Sequence, residues 1–259
     1  MRSRLIRLRK SIYRLEASDW VVARVALRAL LAAYQGADRV FLRRASRPDY
    51  RSEKLISQDR KFMCVLVPKC GSRTLISGLR TAAAAEAFDL TVYERDIRRV
   101  PHVPSTYFTF AFVRDPWARC YSCYVQKIRQ RTPIKAALHL NGRIGLHPDM
   151  SFSDFVHWLG SAHGSDGVAD RHWMSQHRIL RIHEGYRYDF IGRVESMESD
   201  LQTVASRLGF SASVFSHVLQ ATAPEEYLRH FTPELANLVG ERYKEDVELF
   251  GYSAPNLAL

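Results

Sequence analysis

From Lys61 onward, short apolar runs alternate with stripes of helical period. Phe62-Met63-Cys64-Val65-Leu66-Val67 is an unbroken apolar run closed by Pro68, the length and composition of a buried strand. Small and polar residues follow, and Thr74-Leu75-Ile76-Ser77-Gly78-Leu79 opens a helical pattern that runs into the alanines at 82–85. The arrangement then repeats. Tyr107-Phe108-Thr109-Phe110-Ala111-Phe112-Val113 reads as a strand of aromatic and β-branched residues, and Asp115-Pro116 supplies an N-cap and a first-turn proline for a helix to about Ile128. Two strands, each feeding a helix, predict an α/β fold with a parallel sheet flanked by helices.

The second half is mainly helical in pattern. Ser151 and Asp154 form a capping box around Phe152, Phe155, Val156, Trp158 and Leu159. Met197, Leu201, Val204 and Leu208 mark one face of a helix that Gly209 ends, and Thr232-Pro233-Glu234 opens a last helix through about Leu249. Between the first two, Tyr188-Asp189-Phe190-Ile191-Gly192-Arg193 predicts a third strand of the same sheet.

Residues 1–57 have a different character. Leu5, Ile6, Ile12 and Leu15, then Trp20, Val21, Val25, Leu27, Leu30 and Leu31, recur at helical spacing, with Arg24 and Arg28 interrupting the second run. No apolar stretch of about twenty residues is left to cross a bilayer. The expectation is a basic helical N-terminal arm over 1–57 and a single catalytic-sized domain over 58–259. Such an arm suits peripheral contact with an anionic membrane surface, a partner, or its own domain. The net charge of +11 sharpens the picture: residues 1–60 hold fifteen Lys/Arg against six Asp/Glu, so only about +2 belongs to the rest. A broad nucleic-acid-binding face is therefore not expected.

The four cysteines, Cys64, Cys70, Cys120 and Cys123, stand in the first half of a chain with no secretory signal pattern. A reducing compartment, and so a cytoplasmic location, fits better than a disulfide framework. Cys120 and Cys123 make a lone C-x-x-C, read as two small residues on one helix, since no second Cys or His pair stands at zinc spacing.

The candidate chemistry sits at the two strand ends. In Val67-Pro68-Lys69-Cys70-Gly71-Ser72-Arg73-Thr74, a loop between strand and helix aims backbone N–H groups and the positive end of the helix dipole at one spot, which suits a phosphate. Lys69 adds a mobile cation and Ser72 and Thr74 add hydroxyls. The Gly-Lys pair of a Walker A loop is missing, because Ser72 follows Gly71. In Arg114-Asp115-Pro116-Trp117-Ala118-Arg119-Cys120-Tyr121-Ser122, Arg114 leaves a strand and Ser122 lies about two turns into the next helix, so one anion suits both.

At these two points the sequence resembles the PAPS-dependent carbohydrate sulfotransferases, in the branch that holds the HNK-1, chondroitin, dermatan and heparan 2-O-sulfating enzymes. The matching residues are Pro68, Lys69, Ser72 and Thr74, in the loop that binds the 5′-phosphosulfate in that family, and Arg114, Asp115, Pro116, Arg119 and Ser122, in the segment that binds the 3′-phosphate. His172-Trp173-x-x-Gln176 is similar to the family's H-W-x-x-Q element, Phe190 to Glu195 to its F-I-G-R-F-E segment, and Tyr243 to Tyr252 to its closing Y-x-x-D-x-x-x-F-G-Y. The resemblance runs in order from Lys61 to the C-terminus. Arg73 inside the loop and Cys120-Tyr121 inside the second motif depart from it without removing a phosphate ligand, and the preference for Arg over Lys points to a GC-rich bacterial source.

The resemblance implies a sulfotransferase fold, PAPS (3′-phosphoadenosine-5′-phosphosulfate) as co-substrate, no metal, and a carbohydrate or glycolipid acceptor. It places Pro68, Lys69, Cys70, Gly71, Ser72, Arg73, Thr74, Arg114, Ser122 and Arg193 around the co-substrate, with Lys69 facing the bridging oxygen. His102 is the candidate general base, ahead of Glu94, Asp96 and His172. His172 and Trp173 are candidates for the acceptor wall, where an aromatic face suits a sugar ring, and a plain core position is the favoured reading of Trp173. The rival readings are a small-molecule or nucleotide kinase with a divergent loop, which needs Mg²⁺, and a non-catalytic protein that binds an anionic ligand.

Overall fold

The computed structural model describes residues 51–96, 103–129, 145–147, 149–218 and 226–257. Five strands, β1 (Arg51–Ser57), β2 (Phe62–Leu66), β3 (Thr91–Asp96), β4 (Phe108–Val113) and β5 (Phe190–Arg193), form one sheet in the order β3-β1-β2-β4-β5. The three strands expected from the apolar runs pair in parallel, β2 with β4 and β4 with β5. β1 runs antiparallel to both β2 and β3, so the sheet is mixed rather than parallel throughout.

β1 also moves the domain boundary. Residues 51–57, expected in the arm, belong to the sheet and cover the edge that β2 would otherwise expose. Their charges, Arg51, Glu53 and Lys54, disguise the strand in the sequence, yet Leu55 and Ile56 are buried and Glu53–Ser57 pair residue for residue with Leu66–Phe62. The rest of the expected arm, residues 1–50, lies outside the described residues.

Period-two alternation divides the core between the two faces of the sheet. Met63, Val65, Val67, Ala111 and Val113 pack on α2 (Pro116–Tyr124), α3 (Phe152–Gly160), α6 (Pro233–Arg242) and α7 (Lys244–Phe250). Phe62, Cys64, Leu66, Phe110 and Phe112 pack on α1 (Ser72–Ala85) and α5 (Met197–Leu208). At Gly192 a side chain is excluded: a Cβ there would stand 2.5 Å from the Phe112 ring.

The local signals hold where the helices are described. Asp115 accepts from Ala118 N with Pro116 in the first turn of α2, and both halves of the Ser151–Asp154 capping box form at α3. α5 ends at Gly209, and the last helical stretch breaks at Tyr243 into α6 and α7. Beyond Tyr124 the helix widens into a π-helical turn, Val125–Arg129. Among the described residues no helix is long and apolar enough to cross a membrane. The parallel strands all deliver their carboxyl ends to one side, and both motif loops leave from there.

Candidate active site

The loop after β2 is wound by two residues with left-handed backbone, Lys69 at φ 73° and Gly71 at φ 72°. Lysine rarely adopts that region, so its presence marks a loop whose path is fixed by its surroundings. Cys70 N donates to Val67 O at 3.2 Å and Ser72 Oγ to the same oxygen at 2.9 Å, which pulls the loop into a tight arch. A Cβ on Gly71 would come within 2.2 Å of Met197 Cε on α5, so the end of that flexible side chain would have to shift.

The arch leads into the N-terminus of α1. Gly71 offers no side-chain cap, and no acidic residue stands in the first turn. α2, α3 and α6 are capped by Asp115, Ser151 and Thr232, whereas α5 and α7 lack a side-chain cap but carry acidic residues in their first turns. The first N–H groups of a helix need acceptors, and here the protein supplies no side-chain cap. An anion is the natural complement.

Cations surround this end. Arg114 Nη1 donates to Lys69 O at 3.5 Å, bringing the two sequence motifs into contact. Arg119, only 2% exposed, lies beneath the arch and donates from Nε to Pro68 O at 3.2 Å, while its Nη2 has no hydrogen-bond partner among the described residues. Lys69 Nζ reaches Gln126 Oε1 at 2.6 Å, beside Lys127 in the π turn. Ser122 is half-buried on α2, two turns from its start, and Thr74 is buried in the first turn of α1. Burial pushes the Cys70 thiol up to about 12, with Arg119 and Arg114 opposing the rise, so this cysteine is no nucleophile.

Gln176 ties the two motifs together. Its Oε1 accepts from Arg114 N at 2.9 Å and from Cys70 Sγ at 3.1 Å, and its Nε2 donates to Arg114 O at 2.8 Å. The residue stands at the start of the short helix α4 (Gln176–Ile179), and Asp246 of α7 holds that start in place. Asp246, with no exposed surface, accepts from Gln176 N at 2.7 Å, His177 N at 2.8 Å and His177 Nδ1 at 2.8 Å. The elements around Gln176 and Asp246 were recognisable as motifs, but sequence reasoning assigned neither residue a role.

Other expected residues fall differently. Trp173 does not face an acceptor groove: it is 3% exposed and packs edge-on against Trp158 at 5.6 Å and Phe155 at 6.5 Å, inside the core. Arg193 turns to the C-terminal segment, donating to Phe250 O and lying over the Tyr252 ring at 4.9 Å. Glu195 accepts from Asp115 N at 2.8 Å and from Tyr252 OH at 3.1 Å, so these two residues brace the strand end through different partners. Arg73 is exposed and lines an open cavity of about 730 Å³ along the outer face of α1 with Ser77, Arg80 and Thr81. His102 lies outside the described residues. Asp115 is pushed up to about 6, first by burial and then by the neighbouring Glu195 carboxylate, against the N–H of Ala118 that favours its charge.

His172 is near the loop. Its Nδ1 pairs with Asp170 Oδ1, and its pKa is lowered to about 4, chiefly by burial and further by the Lys127 and Lys69 charges, while Asp170 acts the other way. Among the described residues, no group of three or more His, Cys, Asp or Glu is placed to hold a metal ion.

The arrangement gathers Lys69, Arg114, Arg119 and the start of α1 at the carboxyl ends of parallel strands. The chain is 25% identical over 240 residues to carbohydrate sulfotransferase 14 of Danio rerio, covering 78% of this chain and 62% of that protein. It is 26% identical over 189 residues to carbohydrate sulfotransferase 11 of Mus musculus, covering 64% and 53%, and 24% identical over 249 residues to carbohydrate sulfotransferase 8 of Homo sapiens, covering 82% and 58%. The chain thus spans between about half and three-fifths of the length of these relatives. No solved structure shows a significant match. The model of the sulfotransferase family matches residues 52–253, from the second residue of β1 to the C-terminal segment. The chain belongs to the sulfotransferase family.

Proposed function

We propose that this protein transfers a sulfuryl group from PAPS to a hydroxyl of a carbohydrate or glycoconjugate, releasing adenosine 3′,5′-bisphosphate. The observation that carries the reading is the uncapped start of α1, arched over the buried Arg119 and joined to Arg114 through Lys69 O and Gln176. A ligand with phosphates at both ends matches a site with cations at two motifs. The carbohydrate acceptor follows from the relatives, which are named as carbohydrate sulfotransferases.

The reaction is an in-line displacement at sulfur. The acceptor oxygen forms the new S–O bond as the bond to the 5′-phosphate breaks, and the departing phosphate keeps the electron pair. Lys69 and the first N–H groups of α1 neutralise charge as it gathers on that phosphate, and they are held in place before the reaction begins. Arg114 and Ser122 hold the 3′-phosphate and fix the distance between the nucleotide and the acceptor side.

The test is radiolabelled transfer from PAPS to a panel of desulfated glycosaminoglycans and glycolipids in excess EDTA. Incorporation that persists in EDTA and is lost in Lys69→Ala supports the reading. Incorporation that requires Mg²⁺ and ATP contradicts it. We extend the proposal to a reducing compartment, supported by four free, buried cysteines, and to peripheral membrane contact through the basic residues 1–50. Co-sedimentation with vesicles rich in phosphatidylserine, compared with neutral vesicles, checks the latter.

A further inference from the structure

Transfer to a hydroxyl requires a group that takes its proton. We propose that His172, oriented by Asp170, is the general base, accepting the acceptor's proton at Nε2. The assignment rests on the sulfuryl-transfer reading above.

Asp170 fixes the tautomer of the His172 ring. Asp170 Oδ1 receives both the His172 backbone N–H, at 3.0 Å, and the ring Nδ1. An ionised carboxylate only accepts, so the ring proton sits on Nδ1 and Nε2 presents its lone pair. A base oriented by a carboxylate through its other nitrogen is the arrangement that proton abstraction from a hydroxyl needs. The His172 side chain is 17% exposed, enough for a substrate to reach its edge, whereas its neighbour Trp173 is sealed in the core.

Position supports the same role. Four residues further on, Gln176 is bonded to both Cys70 and Arg114, so the segment 170–176 is fastened beside the phosphate loop. The charged groups that act on His172 are Asp170 on its own turn, Lys127 on the π turn after α2, and Lys69 in the loop itself. Lys69, whose charge reaches the imidazole, is the residue assigned to the breaking bond.

Electrostatics keeps the base in its working form. Burial and the two lysines hold the imidazole neutral at physiological pH, so it is free to accept a proton. A bound donor brings negative charge to those lysines, weakens their effect and raises the basicity of Nε2 when the acceptor arrives. In the step itself the hydroxyl oxygen bonds to sulfur, the 5′-phosphate leaves with its electron pair, the hydroxyl proton passes to Nε2, and solvent removes it after product release.

The experiment compares His172→Ala, His172→Gln, Asp170→Asn and His102→Ala with the wild type. Each is titrated calorimetrically with adenosine 3′,5′-bisphosphate and assayed for transfer from PAPS to desulfated chondroitin across pH 3–9. Both His172 variants are expected to bind the bisphosphate within about threefold of wild type and to lose about 100- to 10,000-fold in turnover, with partial rescue of the alanine variant by added imidazole. Wild-type turnover falls on the acid side as Nε2 is protonated. In Asp170→Asn that limb moves to lower pH, because the carboxylate that raises the imidazole's basicity is gone. A merely structural histidine would move neither the limb nor the rescue. Turnover within tenfold of wild type in His172→Ala, or a chemical defect in His102→Ala alone, overturns the assignment. Failure of the wild type to bind the bisphosphate sinks the sulfotransferase reading instead.

Discussion

Replacing Gln176 with alanine removes three hydrogen bonds at once, to Arg114 N at 2.9 Å, Arg114 O at 2.8 Å and Cys70 Sγ at 3.1 Å. Gln176 has no exposed surface, so water replaces little of what is lost. Hydrogen bonds of this kind contribute about 1 kcal/mol each, and a stranded buried amide or carbonyl costs about 1–3 kcal/mol, so a destabilisation of about 2–4 kcal/mol is expected. The larger consequence is positional. Arg114 is held by its backbone through Gln176, and a charged hydrogen bond to phosphate contributes about 1.5–3 kcal/mol when well aligned. Losing that alignment corresponds to roughly 10- to 100-fold weaker binding of adenosine 3′,5′-bisphosphate. Calorimetry gives the affinity and urea denaturation the stability, at a temperature where both proteins are folded. Gln176→Glu is the informative control: it keeps an acceptor for Arg114 N but cannot donate to Arg114 O, and it adds negative charge beside the site. The positioning account is refuted if Gln176→Ala loses stability as expected yet binds within threefold of wild type.

Two further predictions follow from local electrostatics and backbone geometry. Asp115 titrates near 6 in the folded protein against an ordinary value of 3.8, so the folded state holds the extra proton and stability from this group falls as pH rises from about 4 to about 6. Asparagine caps a helix as well as aspartate, so Asp115→Asn should melt higher than wild type at pH 7.5, with the gap closing towards pH 4; a gap of constant size contradicts this. Gly71→Ala should cost about 1–2 kcal/mol from its left-handed backbone, the Met197 end moving aside, and should weaken bisphosphate binding in the same preparation. Thermal unfolding with and without the bisphosphate measures both.

The parts of this structure legible in the sequence are those decided locally. β2 and β4 announce themselves because their apolar runs end at Pro68 and before Asp115-Pro116, and these same breaks mark the loops that carry the chemistry. β1 and β3 were not anticipated, since Arg51–Ser57 and Thr91–Asp96 are rich in charged residues and become strands only by pairing with each other and with β2. The phosphate loop was readable from residue types, whereas the bond between Gln176 and Cys70 joins positions 106 apart and exists only in the fold. Trp173 shows what the sequence leaves open: an aromatic beside a histidine suits a sugar platform as well as the core, and packing against Trp158 puts it in the core.

The central claim concerns the cradle formed by Lys69, Arg114 and the start of α1, and calorimetric titration with adenosine 3′,5′-bisphosphate tests it most directly. One site is expected, with a Kd below about 100 μM that weakens tenfold or more in both Lys69→Ala and Arg114→Ala. No measurable heat at several times that concentration, on the order of 500 μM, or an affinity indifferent to both substitutions, would contradict the account.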